Sequence, residues 1–155
     1  SNVIKNKSQD KVMSNYRVMV TDDDNFTLVM YKNIFNKSDA IQLDCYSQGE
    51  EAVAATEEMQ RNGESHALAL IDMRMPPGID GLETAVRIRK INPEIQLAFV
   101  SGYNDSIADK ISAALEGKVL WFAKPFKSSE LYQAVYECCL TGQWGEEPSR
   151  LYAIQ

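Results

Sequence analysis

Ala67-Leu-Ala-Leu-Ile-Asp72-Met-Arg-Met-Pro76-Pro-Gly-Ile-Asp-Gly81 is the stretch whose reading decides the fold. An unbroken apolar run ends on a carboxylate, a Pro/Gly turn follows, and a helical pattern begins. An apolar run of about 4–8 residues bounded by turn signals reads as a strand buried on both faces. Asp72 then stands where a buried strand leaves its sheet. An acid in that place is either a helix-capping residue or a reactive group held at the sheet's carboxyl edge.

Outward from this stretch the same alternation repeats. Short apolar runs over 17–21, 41–46, 67–72, 95–101 and 118–123 read as strands, and a helical pattern follows each of them. In the first helix Phe26, Met30 and Ile34 recur on one face. Ser47-Gln-Gly-Glu50 resembles a capping box for the second, which carries Ala52, Ala55 and Met59 and stops at Asn62-Gly63. The third starts near Asp80-Gly-Leu-Glu83, uses Leu82, Ala85 and Val86, and ends at Asn92-Pro93, because proline disfavours helix in the residue before it. Ile107, Ile111, Ala114 and Leu115 stripe the fourth, and Gly117 closes it. In the fifth, Ser128 is placed to cap and Leu131, Ala134, Val135 and Cys138 form the inward stripe. Each link is too long for a hairpin and suits a helical crossover, so the strands are expected to be parallel and the crossovers right-handed. The expected fold class is α/β, a doubly wound (βα)5 sheet of five parallel strands, for which the flavodoxin-like order 2-1-3-4-5 is taken.

The expected organisation is a flexible lead-in over 1–15, one compact domain over 16–140, and an extension or linker over 141–155. In the extension Trp144, Leu151 and Tyr152 either pack back on the domain, meet a partner, or begin a linker. A chain of 155 residues, 45% apolar and 25% charged, has the composition of a single globular domain. Its net charge of −6 argues against a nucleic-acid surface on this domain. No apolar run approaches the ~20 residues of a membrane span, and no secretory signal is apparent. Cys45, Cys138 and Cys139 have no metal-ligand spacing and read as free thiols of a reducing compartment, so a cytoplasmic location is expected. His66, the only histidine, lies in a polar turn and reads as exposed and without function.

Open α/β sheets bind ligands beyond the carboxyl ends of their strands, where the strand order reverses. The first strand ends on Asp22 and Asp23, the third on Asp72, the fourth on Ser101 and the fifth on Lys124, while the second offers only Ser47. Three carboxylates brought together repel one another and raise each other's pKa. A divalent cation resolves that conflict, and hard oxygen ligands favour Mg2+ (or Mn2+). A carboxylate beside such an ion can act as nucleophile and form an aspartyl phosphate. Lys124 supplies a point charge for a phosphoryl oxygen, and the Ser101 hydroxyl can donate to another. The plainer alternatives are a helix cap for Asp22 to Asp24, a turn serine for Ser101 and a core aromatic for Trp121.

Asp22-Asp23, Asp72, Ser101 and Lys124-Pro125-Phe126, in this order at strand ends with helices between them, resemble the receiver domain of two-component response regulators and hybrid histidine kinases. The resemblance spans about 16–140. It implies that Asp72 is the phosphoacceptor, and that Asp22, Asp23, Asp72 and the main-chain carbonyl of Arg74 hold the metal. It implies that Lys124 and Ser101 bind the phosphoryl group, and that the Lys124–Pro125 bond is cis. Ser101 and Trp121 would form the switch, the indole turning inward and reshaping the face of helix four, strand five and helix five. The partners implied are a histidine kinase or histidine phosphotransfer protein as donor and a downstream output domain or protein on that face. A homodimer is compatible with it; neither nucleic acid nor membrane is implied. The domain would assist its own phosphorylation and dephosphorylation without being an enzyme in the usual sense.

Three features depart from the family pattern. Pro76-Pro77-Gly78 adds a residue to the loop after Asp72, Arg74 puts a long cation two residues beyond the acceptor, and Trp121 is bulkier than the usual tyrosine or phenylalanine. Other readings are a receiver used only for docking, an aspartyl-nucleophile phosphohydrolase resembling the haloacid dehalogenases, and a flavin-binding electron carrier. The hydrolase wants an acid at position 74, where Arg74 stands. The flavin carrier must place a phosphate beside Asp22 to Asp24, which would repel it.

Overall fold

The computed structural model describes residues 15–102, 105–117, 119–142 and 151–154. Strands and helices alternate as β1 Tyr16–Thr21, α1 Asn25–Phe35, β2 Ile41–Tyr46, α2 Gly49–Arg61, β3 Leu68–Asp72, α3 Gly81–Ile91, β4 Gln96–Ser101, α4 Asp105–Ala114, β5 Val119–Ala123 and α5 Ser128–Thr141. The five strands are parallel in the order β2-β1-β3-β4-β5. A short sixth strand, β6 Leu151–Ile154, pairs antiparallel with the outer edge of β5, so the extension returns to the sheet.

The central strands are apolar throughout because both faces are covered. Successive side chains point to opposite faces. Val18 and Val20 of β1, with Leu70, Val100 and Phe122, join Tyr31 and Phe35 of α1 and Leu131 and Val135 of α5 in one core layer. Met19, Ile71, Phe99 and Trp121 face the other way, against Ala52 of α2, Ala85 and Ile88 of α3 and Ile111 of α4. The stripe Leu131, Ala134, Val135 and Cys138 is buried as the periodicity of α5 requires.

Several local expectations are corrected. In α1 the buried residues are Leu28, Tyr31, Ile34 and Phe35, while Phe26 is 86% exposed and Met30 lies outward. Two apolar stripes coexist on this helix, and docking on α5 and the sheet selects the one carrying Tyr31 and Phe35. In α3 the inward positions are Thr84, Ala85 and Ile88, with Leu82 and Val86 half-buried. Ala114 of α4 is exposed and Ala108 is buried. The N-cap of α5 is Lys127, not Ser128, and no side chain caps it. The capping box of α2 does not form: Gln48 is the N-cap, the Ser47 hydroxyl donates to Glu51 at 3.2 Å, and Glu50 turns toward another loop. Lys118 and Trp144 lie outside the described residues.

His66 is buried, only 3% exposed, and not the surface residue the polar turn suggested. The Ala67 amide donates to the Arg17 carbonyl at 2.9 Å, which draws the start of β3 against β1. His66 Nε2 then lies 2.7 Å from Asp44 Oδ2, an oxygen that also accepts from Arg17 Nη2 at 2.8 Å. Burial lowers the imidazole pKa more strongly than its Asp44 partner raises it.

Gly49 opens α2 where that helix meets α3. A Cβ there would overlap Thr84 Oγ1 and stand 2.7 Å from Ile79 Cγ1. Overpacking of this kind costs about 1–3 kcal/mol. Gly49→Ala is therefore expected to lower the unfolding free energy by that amount, read as a lower urea midpoint with an unchanged m-value, and an unaltered midpoint would show that α2 can shift freely.

Candidate functional site

Strand register decides what meets at the carboxyl edge of the sheet. Thr21 is level with Ile71, so Asp22 emerges beside Asp72. Asp72 is level with Val100, and Ser101 with Ala123, so Lys124 follows one step beyond Ser101. The residues singled out at four strand ends thus gather on one side of the sheet. Ser47 leaves the edge strand β2 level with Asp22, but its hydroxyl is turned to Glu51.

The three consecutive acids after β1 divide their work. Asp24 caps α1: its carboxylate accepts from the Phe26 amide at 3.1 Å and from the Thr27 hydroxyl at 2.9 Å. Asp22 is 1% exposed, and its Oδ1 accepts from the Asp24 amide at 2.9 Å. Its other oxygen, Oδ2, is buried without a hydrogen bond from any described residue and lies 3.8 Å from Lys124 Nζ. Asp23 is exposed. One carboxylate oxygen from each of Asp22, Asp23 and Asp72 lies within 4.8 Å of the others.

Asp72 is not a helix cap, since Asp80 caps α3 by accepting from the Glu83 amide at 2.9 Å. Partial burial, reinforced by the charges of Asp22 and Asp23, pushes the Asp72 carboxyl up to about 6, against the opposing pull of Lys124 and the Met73 amide. Burial likewise raises Asp22. Asp22 and Asp72, both raised and the former with an orphaned buried oxygen, together with the adjacent Asp23 carboxylate fit a small divalent cation with oxygen ligands such as Mg2+ or Mn2+.

The Ser101 carbonyl joins two neighbours. It accepts from the Lys124 amide at 3.0 Å and from the Trp121 indole Nε1 at 3.1 Å. Trp121 is fully buried beside Phe99, so its ring lies inward in this structure. Arg74 is exposed, between buried Met73 and Met75. The Lys124–Pro125 peptide bond is cis, as is Pro76–Pro77.

Two residues of the site had escaped the sequence reading. A Cβ on Gly81 would overlap the main-chain carbonyl of Asp72, and the Gly81 amide donates to the Met73 carbonyl at 2.9 Å. The glycine at the start of α3 is thus the floor of the acceptor loop; its signal was the Asp80-Gly81 pair. Tyr31 of α1 is buried within the field of Asp22 and Asp72, which adds to the burial that raises its pKa. Its spacing in α1 offered only a core reading.

A family model described as the response regulator receiver domain matches residues 18–136. The chain belongs to that family. The receiver is 29% identical over 124 residues to sporulation initiation phosphotransferase F of Bacillus subtilis strain 168, covering 79% of this chain and 93% of that relative. It is 27% identical over 118 residues to response regulator protein TodT of Pseudomonas putida, covering 76% of this chain and 48% of TodT. The chain thus spans about half the length of TodT. Among solved structures, a CheY-like response regulator receiver domain protein from Methanospirillum hungatei JF-1 superimposes with a TM-score of 0.66 at 23% identity, over 81% of this chain and 94% of that one. Among the described residues, no helix of the receiver is long and apolar enough to cross a membrane.

A carboxyl whose pKa is raised by folding penalises the folded state once it ionises. The penalty is absent below the unfolded value near ~3.9 and complete above the folded one. Asp72→Asn should therefore stabilise the metal-free receiver at pH 7.5 by about 1–3 kcal/mol, allowing for solvent screening. The advantage should vanish as pH falls from 6 to below 4. Urea titrations across that range check this, and equal stabilities at pH 7.5 would contradict it.

Proposed function

We propose that this receiver is a phosphoacceptor in a two-component phosphorelay. A partner histidine kinase or histidine phosphotransfer protein donates the phosphoryl group, and Asp72 accepts it. The observation that carries this reading is the convergence of the Asp22, Asp23 and Asp72 carboxylates, with Lys124 Nζ 3.8 Å from Asp22. Asp22, Asp23, Asp72 and the main-chain carbonyl of Arg74 would hold Mg2+ or Mn2+. When bound, such an ion would supply positive charge against the carboxylates and the phosphoryl oxygens, and charge neutralisation with positioning is the main requirement of phosphoryl transfer.

In the transfer itself an Asp72 oxygen attacks phosphorus as the oxygen–phosphorus bond forms and the nitrogen–phosphorus bond of the donor breaks. The electron pair returns to the donor imidazole, which takes up a proton from solvent. Lys124 supplies positive charge next to the acids, and the Ser101 hydroxyl is a donor at the end of β4. The domain assists its own phosphorylation and dephosphorylation and turns over no small molecule. Supporting a docking donor, Phe26, Val29 and Met30 leave apolar surface on α1, which begins directly after the acids, and they line a groove of about 350 Å3 with Ile34, Lys37 and Ser128. Burying a side chain such as Phe26 is worth about 1.5–3 kcal/mol, which the free domain forgoes and a partner can recover.

Phosphorylation would act through Ser101 and Trp121 on the α4–β5–α5 face, the site of a downstream output domain or protein. The Ser101 carbonyl links β4 to the Lys124 amide and the indole, so a displacement of Ser101 reaches β5 directly. Residues 16–140 form the receiver unit in this reading. Residues 1–15 lead into it, and 141–155 extend it and reach the output face through β6.

Incubation with a small phosphodonor and Mg2+, followed by intact mass, tests the reading. Wild-type protein should gain one hydroxylamine-labile phosphoryl group, Asp72→Asn none, and Asp23→Ala far less than wild type. Equal labelling of Asp72→Asn would falsify the acceptor assignment.

A further inference from the structure

Two polar side chains at the start of α2 are turned away from it. Gln48 occupies the N-cap yet makes no side-chain capping bond. Its amide group reaches across to the β3–α3 loop, where Oε1 accepts from the Gly78 amide at 3.1 Å and Nε2 donates to the Pro76 carbonyl at 3.3 Å. Glu50 would fold back on the helix start had Ser47 opened a capping box. Its Oε1 instead accepts from the Ile79 amide at 2.6 Å. The loop they grip is the one that follows Asp72 and holds the additional Pro76-Pro77-Gly78 residue. A Cβ at Gly78 would crowd the Glu50 carboxylate and Gln48 Oε1, so glycine is what lets both side chains close on the main chain. Nearer the acceptor, the same loop is fixed by buried Met73 and Met75 and by the Gly81 amide on the Met73 carbonyl.

We propose that Gln48 and Glu50 are positioning residues for the acceptor loop. By holding Pro76 to Ile79 they fix the main chain between Asp72 and α3, so that the Asp72 carboxylate and the Arg74 carbonyl can serve one divalent cation. This rests on the metal-binding reading above. Neither residue touches the ion. Each acts through the loop, as the hydrogen-bond partners of metal ligands commonly do. The Glu50 contact needs an acceptor oxygen and not a negative charge, so glutamine can replace it.

The test is calorimetric titration of Mg2+ into the full 155-residue chain. Its variants are Glu50→Ala, Glu50→Gln and Gln48→Ala, each with amide exchange at Gly78 and Ile79. Glu50→Ala should bind Mg2+ about tenfold more weakly, within the range that loss of an outer-shell partner costs. Its Ile79 amide should exchange faster. Glu50→Gln should restore both, whereas a long-range charge effect would leave it as weak as Glu50→Ala. Gln48→Ala, which frees Gly78 and Pro76, should also weaken binding and carries the test if Glu50→Ala does not fold. Wild-type affinity in both alanine variants, or failure of Glu50→Gln to rescue, overturns the proposal while leaving the metal site intact. A wild-type chain that binds no Mg2+ overturns the metal reading and this proposal together.

Discussion

Electrostatic repulsion at the carboxyl edge of the sheet is the constraint around which this receiver is built. Three carboxylate oxygens lie within 4.8 Å of one another, and Oδ2 of Asp22 is buried with no hydrogen bond from a described residue. Lys124, 3.8 Å from Asp22, offsets only part of this, since burial together with the charges of Asp22 and Asp23 still pushes the Asp72 carboxyl up to about 6. The rest of the fold keeps the acids from separating. Parallel register ties Asp22 to Asp72, Asp24 and Asp80 anchor the following helices, and Gly81 presses against the Asp72 main chain.

The same edge contains a route outward. The Ser101 carbonyl is shared by the Lys124 amide and the Trp121 indole, so one polar atom couples the end of β4 to the lysine and to a large core aromatic. Trp121 packs with Phe99 in the layer that includes Ile111 of α4. On its other edge β5 pairs with β6, where Trp121 is opposite Tyr152. In the proposed switch, a change at Ser101 would pass along this packing to α4, β5 and β6. Close packing makes such a path responsive to small displacements.

The alternation of strands and helices was legible because both-face burial writes itself as unbroken apolar runs, and the site was legible because those runs end on polar residues. Which face a helix buries was less so. In α1 the stripe through Phe26 and Met30 competes with that through Leu28 and Tyr31, and only the packing of α5 decides between them. The α2 capping box failed for a related reason: Gln48 and Glu50 found partners about thirty positions away in sequence, which no local rule weighs. His66 looked exposed because its neighbours are polar, yet it is buried, with its ring against Asp44 of β2, which Arg17 of β1 also holds. The sixth strand had no signal beyond Leu151 and Tyr152, since strand addition at a sheet edge depends on the edge being open.

The central claim is that the acids from β1 and β3 share one divalent cation. A crystal structure grown with Mn2+, with an anomalous difference map, tests it most directly. The account predicts a single strong peak at this edge, about 2.0–2.3 Å from Asp23 and Asp72 oxygens, the spacing of a small hard divalent ion. A map with no peak there, or with Mn2+ bound only elsewhere on the surface, would contradict it.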